Sequence, residues 1–486
     1  MNSIKKFLQS SAIFFVGNLL SRAISFFLLP IYTKNISTTD YGYYDLSITY
    51  LTIITSVLFF DIWATVMRFM FDKNEEKNKY SSILSGFVVF SMSTIVYIVI
   101  GIVVAQIVDI KYLTLIIAYG IFLNMQNMFS YITRGFEKNK NFAISGILNT
   151  LFVSISSIVL IVFAKVDYSA LYVAGIIGNI VQILYLELKV NLRKNLKIEL
   201  LEKNLTMEMF KYTLPLCINS ASFWLLTSFN RIVISKVLTV SDNGIYAIGN
   251  KFAVIITLIT TCFTLAWQEI SFDRKIDDKT NAKFYSDACN LYIGFLGIGL
   301  ILLIPTVNII FPWLVDNSYY QAKGIIPLFL IATVINAFSN FIGNIFYAQK
   351  DTKNIFISAL ISAMLNVLLS YPLIKLLGLN GATLSMLISF MINILIRYKI
   401  LNKKILLKFN VKNILLLTIF ILCSWYIYNM ETYINIIWLV IACFVLIFLF
   451  KKNIKKIVFS LLKKEKIWLK NAQVAMLVIM YVHKML

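Results

Sequence analysis

The sequence predicts an all-α integral membrane protein of about 14 transmembrane helices. They form two pseudo-symmetric six-helix lobes around a central cavity, plus two C-terminal helices. Three observations predict this. Of the 486 residues, 59% are hydrophobic and only 14% charged, whereas soluble domains run roughly 25% charged. Apolar runs of about 20 residues, enough to cross a bilayer, recur from end to end. Positive charge is concentrated in alternate loops, and a short motif returns about half a chain later.

The apolar runs fall at 7–33, 41–71, 81–108, 112–133, 141–163, 168–189, 209–235, 242–271, 285–311, 323–347, 354–375, 380–400, 412–429 and 433–450. The first follows MNSIKK. It is long and has no obvious small-residue cleavage site, so it is expected to stay as span one rather than leave as a signal peptide. Short connections make most neighbours up-and-down hairpins. After the last span, 451–470 (KKNIKKIVFSLLKKEKIWLK) reads as a basic amphipathic stretch lying on an anionic leaflet.

The net charge is +22. Most Lys and Arg sit at the termini and in the loops 73–79, 134–140, 189–211, 273–283, 349–353 and 397–412. The opposite loops hold Lys34, Lys111, Lys165, Lys236, Lys323 and Lys375, and Arg22, Arg68, Arg231 and Lys251 lie inside spans. This sidedness follows the positive-inside rule and places both termini in the cytoplasm. It accounts for the basic balance without nucleic acid.

A shift of 202 residues lays ISTTDYGYYDLSI (36–48) over LTVSDNGIYAIGN (238–250), matching Asp40 with Asp242 and Gly42 with Gly244. A shift of 213 matches Asn141 with Asn354 and Ser145 with Ser358. Both copies start on the cytoplasmic side, so the repeat is parallel, with a pseudo-two-fold axis along the membrane normal. The expected division is 1–203 for helices 1–6, 204–405 for helices 7–12, and 406–486 for helices 13–14 and the tail.

Enzyme chemistry finds little to work with. Cys217, Cys262, Cys289, Cys423 and Cys443 all lie in apolar segments without CxxC spacing. The one histidine, His483, supports neither a zinc cluster nor a Ser-His-Asp triad. There is no GxxxxGK[ST] phosphate loop. The chain is read as a non-enzyme that needs no cofactor, with proton or sodium coupling as the one addition considered.

Polar side chains inside the spans mark the functional candidates. Asn18, Arg22 and Ser25 share one face of span one. Arg22 is far from either end, and a charge at that depth costs roughly 2.5–3.5 kcal/mol unless protein or water surrounds it. Ser220, Trp224, Thr227 and Arg231 repeat the stripe on span seven. Asp61, Thr65, Arg68 and Asp72 line span two, and Lys251 and Glu269 sit on span eight. Snorkelling is the competing explanation for Arg68, Arg231 and Glu269. For Asp61 it is pairing with Arg68, and for Arg22 it is pairing with an acid such as Asp61. An excess of cations favours an anionic substrate, since guanidinium matches phosphate oxygens two at a time. Arg22, Asn18, Ser25, Arg231, Trp224, Thr227, Lys251 and Arg68 are therefore the expected substrate-binding residues. Asp61 and Glu269 are the candidates for ion coupling.

The chain resembles the Wzx-type polysaccharide flippases, of the superfamily that includes MATE exporters and lipid II flippases. The resemblance rests on GNLLSRAISFFLLPIYTKNISTTDYGYYDL (17–46), VSDNGIYAIGNKF (240–252), FPWLVDNSYYQAKGIIPLFLIATV (311–334), YAQKDTKN (347–354) and GLNGATLSMLIS (378–389). It implies transfer of an undecaprenyl-pyrophosphate-linked oligosaccharide to the external leaflet of a bacterial cytoplasmic membrane. It also implies membrane lipids as surroundings, with a polymerase and glycosyltransferases of the same pathway as partners. In lipid II flippases a Ser-Arg pair in the first helix contributes to a cationic cavity, and Ser21-Arg22 stands in that place. A MATE-like exporter of organic cations is the alternative within transport, and a membrane glycan polymerase the alternative outside it.

Overall fold

The computed structural model describes residue 24 and residues 26–72, 76–272, 279–349 and 351–445. All regular elements among the described residues are helical. In order they are α1 (Leu29–Asn35), α2 (Thr38–Phe59), α3 (Ile62–Asp72), α4 (Glu76–Ile107), α5 (Leu113–Gly135), α6 (Asn139–Ile158), α7 (Ser169–Val190), α8 (Lys203–Thr227) and α9 (Phe229–Val237). There follow α10 (Val240–Phe272), α11 (Lys279–Leu314), α12 (Ala322–Ala348), α13 (Thr352–Leu377), α14 (Leu379–Asn402), α15 (Val411–Tyr428) and a shorter apolar helix, α16 (Thr432–Val445).

Ten of these, α4 to α7 and α10 to α15, are long and apolar enough to cross a membrane. Helices α2 and α3 form an eleventh span, bent by 46° at the Phe60–Asp61 break. The chain is therefore a multi-pass membrane protein. The count of 14 is not reached among the described residues. Span one lies mostly outside the described residues. Span seven is divided at Ser228 into α8 and α9, and α8 carries Lys203, Glu208 and Lys211. Span fourteen is α16, and its description ends at 445. Span two, expected to be continuous over 41–71, is the broken pair.

The chain divides into two compact units, Met1–Gly244 and Ile245–Leu486. The repeat boundary at 203/204 concerns sequence correspondence, whereas the division at 244/245 follows packing. The two differ because α8, α9 and the first turn of α10 pack against α2, α3 and α4. Lipid offers no hydrophobic gain for joining helices, so close contact and buried hydrogen bonds hold each unit together.

The repeated motif has a local cause. Ser37 caps α2, accepting from the Asp40 amide at 3.1 Å and donating to the Asp40 carboxylate at 2.8 Å. Thr239 caps α10 in the same reciprocal way, with Asp242 N to Thr239 Oγ1 and Thr239 N to Asp242 Oδ2 both 3.0 Å. Both are capping boxes with aspartate in place of the usual glutamate. Two residues on, the helices touch backbone to backbone. A Cβ on Gly42 would strike the Val240 carbonyl, and one on Gly244 would strike that of Thr38. The Ser241 hydroxyl donates to Thr38 Oγ1 at 2.7 Å and the Asn243 amide to the Gly42 carbonyl at 2.9 Å.

Each unit also holds a polar three-helix seam. In the first, Gln182 of α7 donates to Ser145 of α6 at 3.1 Å and to Ser130 of α5 at 3.3 Å. In the second, Arg397 of α14 donates to Ser358 of α13 at 3.1 Å, and to the Ser339 hydroxyl and carbonyl of α12 at 3.1 and 2.6 Å. In each unit one long polar side chain reaches serines of two neighbouring helices, a glutamine in the first and an arginine in the second. Buried polar residues recur every fourth position on α13 (Ser358, Ser362, Asn366, Ser370) and on α14 (Ser385, Ser389, Asn393, Arg397). Small polar residues let these helices approach closely. Apolar and aromatic packing fills the rest. Trp267 is wholly buried, stacks on Phe341 at 4.4 Å between centroids, and donates to the Phe341 carbonyl. Helix α15 is tied to α11 by Asn308 donating to the Tyr428 carbonyl at 2.6 Å.

The 163–169 turn is fastened by Asp167, which accepts from the Ser169 amide at 2.9 Å, from Lys111 at 3.4 Å and from the Tyr112 hydroxyl. Burial pushes its carboxyl up, but the hydrogen bonds from Ser169, Tyr112 and Lys111 outweigh that and hold it at about 2. A depressed acid stabilises the fold above its ordinary value of about 3.9 and loses that contribution as pH falls through its folded value. Protection from hydrogen exchange in this turn, relative to the intrinsic rate at each pH, should therefore stay flat from neutral pH to about pH 4 and fall from there towards pH 2, and Asp167→Asn should remove the step. The glycine crossing yields a second expectation. Gly42→Ala or Gly244→Ala should cost about 1–3 kcal/mol by overpacking, lowering the melting temperature in detergent. Gly324→Ala, where a Cβ meets open space, should be near neutral.

Candidate functional site

Two polar faces meet in the first unit. Asp45, Thr49 and Thr52 follow one another along α2 at spacings of four and three, so they share a face. Trp224 of α8 donates its indole N–H to the Thr49 carbonyl and to Thr52 Oγ1, each at 3.2 Å. Arg231 of α9 pairs with Asp45, Nε to Oδ2 at 2.8 Å, with side chains 12% and 22% exposed. Its Nη1 donates to the Thr227 carbonyl at 3.3 Å, and Asn243 reaches Asp45 Oδ2 at 3.3 Å. Thr227 itself donates to the Phe223 carbonyl at 3.0 Å. The stripe Ser220, Trp224, Thr227 and Arg231 thus lies along α2 and its continuation, and Arg231 is held by a carboxylate rather than snorkelling.

Lower on the same interface the chain turns sharply. Phe60 and Asp61 both have left-handed backbone, at φ 53° and 51°, without glycine or proline nearby. Breaking the helix strips carbonyls of their usual partners, and α8 supplies substitutes. Thr213 donates to the Phe60 carbonyl, and the Cys217 thiol lies 3.9 Å from that of Val57. Ser220 donates to the Asp61 carboxylate. Asp61 makes no ion pair with any described residue.

The remaining candidates are scattered. Arg68 is exposed on α3, and Lys251 is half-buried on α10 in the second unit. Asn18, Arg22, Ser25 and the side chain of Glu269 lie outside the described residues. Reading the sequence did not single out Asp45, whose helical stripe with Thr49 and Thr52 was the available signal. It also assigned Arg397 to the basic loop 397–412. The structure corrects this: α14 continues to Asn402, and Arg397 is only 5% exposed, without a carboxylate partner among the described residues.

The unit can therefore keep ionic groups at membrane depth when each has an internal partner. Removing one member of such a pair strands the other and costs about 3–5 kcal/mol, while replacing both with apolar groups is often neutral. Arg231→Met alone should lower the melting temperature of the purified protein sharply. The Asp45→Leu, Arg231→Met double variant should recover most of it.

A model of a family described as polysaccharide biosynthesis protein matches residues 7–267, more than half of the chain. No curated protein matches in sequence. Among solved structures, the chain is similar to the lipid II flippase MurJ in an inward closed conformation, with TM-score 0.68, 14% identity, and 91% of this chain and 100% of that one covered. It is similar to an inward-facing multidrug resistance MATE transporter of the MOP superfamily, with TM-score 0.61, 11% identity, and coverage of 84% and 95%. A MOP superfamily transporter from Pyrococcus furiosus matches at TM-score 0.57, 14% identity, and coverage of 86% and 96%. At such identities the likeness establishes the fold alone, and that fold is of the flippase and transporter type. The sequence match goes further: the chain belongs to the polysaccharide biosynthesis protein family.

Proposed function

We propose that the protein is a flippase that moves an undecaprenyl-pyrophosphate-linked oligosaccharide from the cytoplasmic to the external leaflet of a bacterial cytoplasmic membrane. Membership of the polysaccharide biosynthesis family carries this reading, and sharing a fold with a flippase of a lipid-linked substrate supports it. A pyrophosphate with several sugars cannot cross hydrocarbon alone, because each unsatisfied polar group costs several kcal/mol there. A cationic, hydroxyl-lined cavity would shelter the head group, while the polyprenyl tail stays in lipid. Rocking of the repeats would open that cavity to each side in turn. The loop charges orient both termini to the cytoplasm. A polymerase and glycosyltransferases of the same pathway would act before and after transfer.

Arg22 is the proposed pyrophosphate ligand, with Asn18 and Ser25 beside it. Arg68 and Lys251 add positive charge. Arg231, Trp224 and Thr227 present the corresponding face of the second copy, with Arg231 already balanced by Asp45. The shared fold with MATE transporters keeps a second reading in view, an exporter of organic cations. Such cargo calls for acidic and aromatic surroundings, and a guanidinium at Arg22, deep in span one, speaks against it. A polymerase would need an external catalytic loop, and the connection at 312–322 offers only Asp316 as an ionisable group.

A strain lacking the chain should accumulate lipid-linked repeat units on the cytoplasmic leaflet, detected by leaflet-specific labelling. Arg22→Ala should abolish rescue while the protein still inserts. Arg22→Lys should rescue in part, because an ammonium keeps the charge and loses the two-point fork. Normal external delivery in the deletion strain, or higher resistance to cationic dyes on expression, would overturn the reading.

A further inference from the structure

We propose that the buried Arg397 guanidinium of the second unit is the site of a small monovalent anion such as chloride, bound at Nη2. Arg397 is 5% exposed on α14, a helix long and apolar enough to cross a membrane. It makes no ion pair with a described carboxylate. Its hydrogen bonds are also incomplete. Nε donates to the Ser358 hydroxyl, and Nη1 to the Ser339 carbonyl and hydroxyl. Nη2 donates to no described residue. The neighbouring side-chain oxygens are already engaged. The Ser339 hydroxyl donates to Asn393 Oδ1 at 3.0 Å, and that of Ser358 to the Ile355 carbonyl at 2.8 Å. A guanidinium brings five N–H donors and no acceptor. The seam is therefore left with spare donors and one uncompensated positive charge. An anion answers both.

The chemistry narrows the class of ligand. A stranded charge inside a membrane protein is costly. Water would take the spare N–H groups and leave the charge standing. A monovalent anion meets both needs, whereas sulfate would replace one stranded charge with another of opposite sign. Room beside the guanidinium is limited, since a Cβ on Gly343 would lie 3.0 Å from Nη1 and 4.0 Å from Nη2. A halide suits such a space, and a lipid-linked pyrophosphate does not. Arg397 stands five residues before the end of α14 at Asn402, about 7.5 Å along the helix, so the path to solvent at that end is short. The first unit needs no such ion. Its seam is closed by Gln182, a neutral amide that donates to Ser130 and Ser145.

The purified full chain is melted in the sodium salts of chloride, bromide, gluconate and sulfate at equal ionic strength. Chloride and bromide should raise the melting temperature by a few degrees over gluconate, in a saturable way, and sulfate should not. Arg397→Gln puts the first unit's neutral amide in place of the guanidinium, and it should melt at one temperature in all four salts. Equal wild-type melting in chloride and gluconate, an effect that grows without saturation, an equal effect of sulfate, or persistence of the chloride effect in Arg397→Gln would each overturn the site. If Arg397→Gln does not fold, anomalous scattering from bromide in crystals of the unmodified protein decides. A peak beside Nη2 upholds the site, and its absence overturns it. No glycan enters the measurement, so its failure leaves the flippase reading standing, and failure of that reading leaves the site standing.

Discussion

Hydrocarbon cannot hydrogen-bond, so every polar group at membrane depth must find its partner inside the protein. Much of the described structure follows from that constraint. Serines on α13 and α14 turn inward and donate to carbonyls of their own helices, and their small size lets the two helices come close. Trp267 and Trp224 carry large apolar rings to the interior, and each spends its single N–H on a carbonyl of a neighbouring helix. At the Phe60–Asp61 break, carbonyls that lose helical partners acquire new ones from α8. Packing and polar satisfaction are thus one problem here, and removing a hydroxyl can loosen a helix pair as surely as removing a methyl group.

The same constraint sorts the charges into different solutions. Arg231 is met by a carboxylate. Arg397 is met by three neutral oxygens from two helices, in the position that the first copy gives to Gln182. A guanidinium can replace an amide there because its planar fork directs several donors at once. Asp61 is met by one hydroxyl from α8. A simple count of intramembrane cations therefore misstates the field available to a substrate. Arg231 is neutralised and Arg397 enclosed, so neither offers a free positive charge to a substrate.

Much of the fold was legible in the sequence because its causes are local. Span lengths follow from bilayer thickness. The repeat was visible at 36–48 and 238–250 because capping boxes need Ser or Thr followed three residues later by an acid, and the helix crossing needs glycine. The candidate site was less legible. Asp45 lies 186 residues from Arg231, and no pattern along one helix announces a partner on another. Arg397 sits two residues before Lys399 and six before Lys403-Lys404, and was read with them. Whether a helix has ended or continues inward depends on the serines of α12 and α13 that receive the side chain. The break at Phe60–Asp61 has neither glycine nor proline to mark it. Its left-handed residues are held by α8, a contact between residues 153 and 159 positions apart.

That break also shows how two similar copies can carry unlike roles. Where the first copy bends, the corresponding stretch of α10 is straight. Where the first copy uses Gln182, the second uses Arg397. Backbone contacts of Gly42 with the Val240 carbonyl and of Gly244 with the Thr38 carbonyl tolerate no side chain at either glycine, so they keep the copies alike at the crossing. Elsewhere a polar position needs only some partner within reach, and different residues can meet that need. A transporter that takes up cargo on one side and releases it on the other needs the two sides to differ in affinity. Differences concentrated in polar side chains, on a backbone kept similar by glycine contacts and capping boxes, let the two copies diverge in what they can bind.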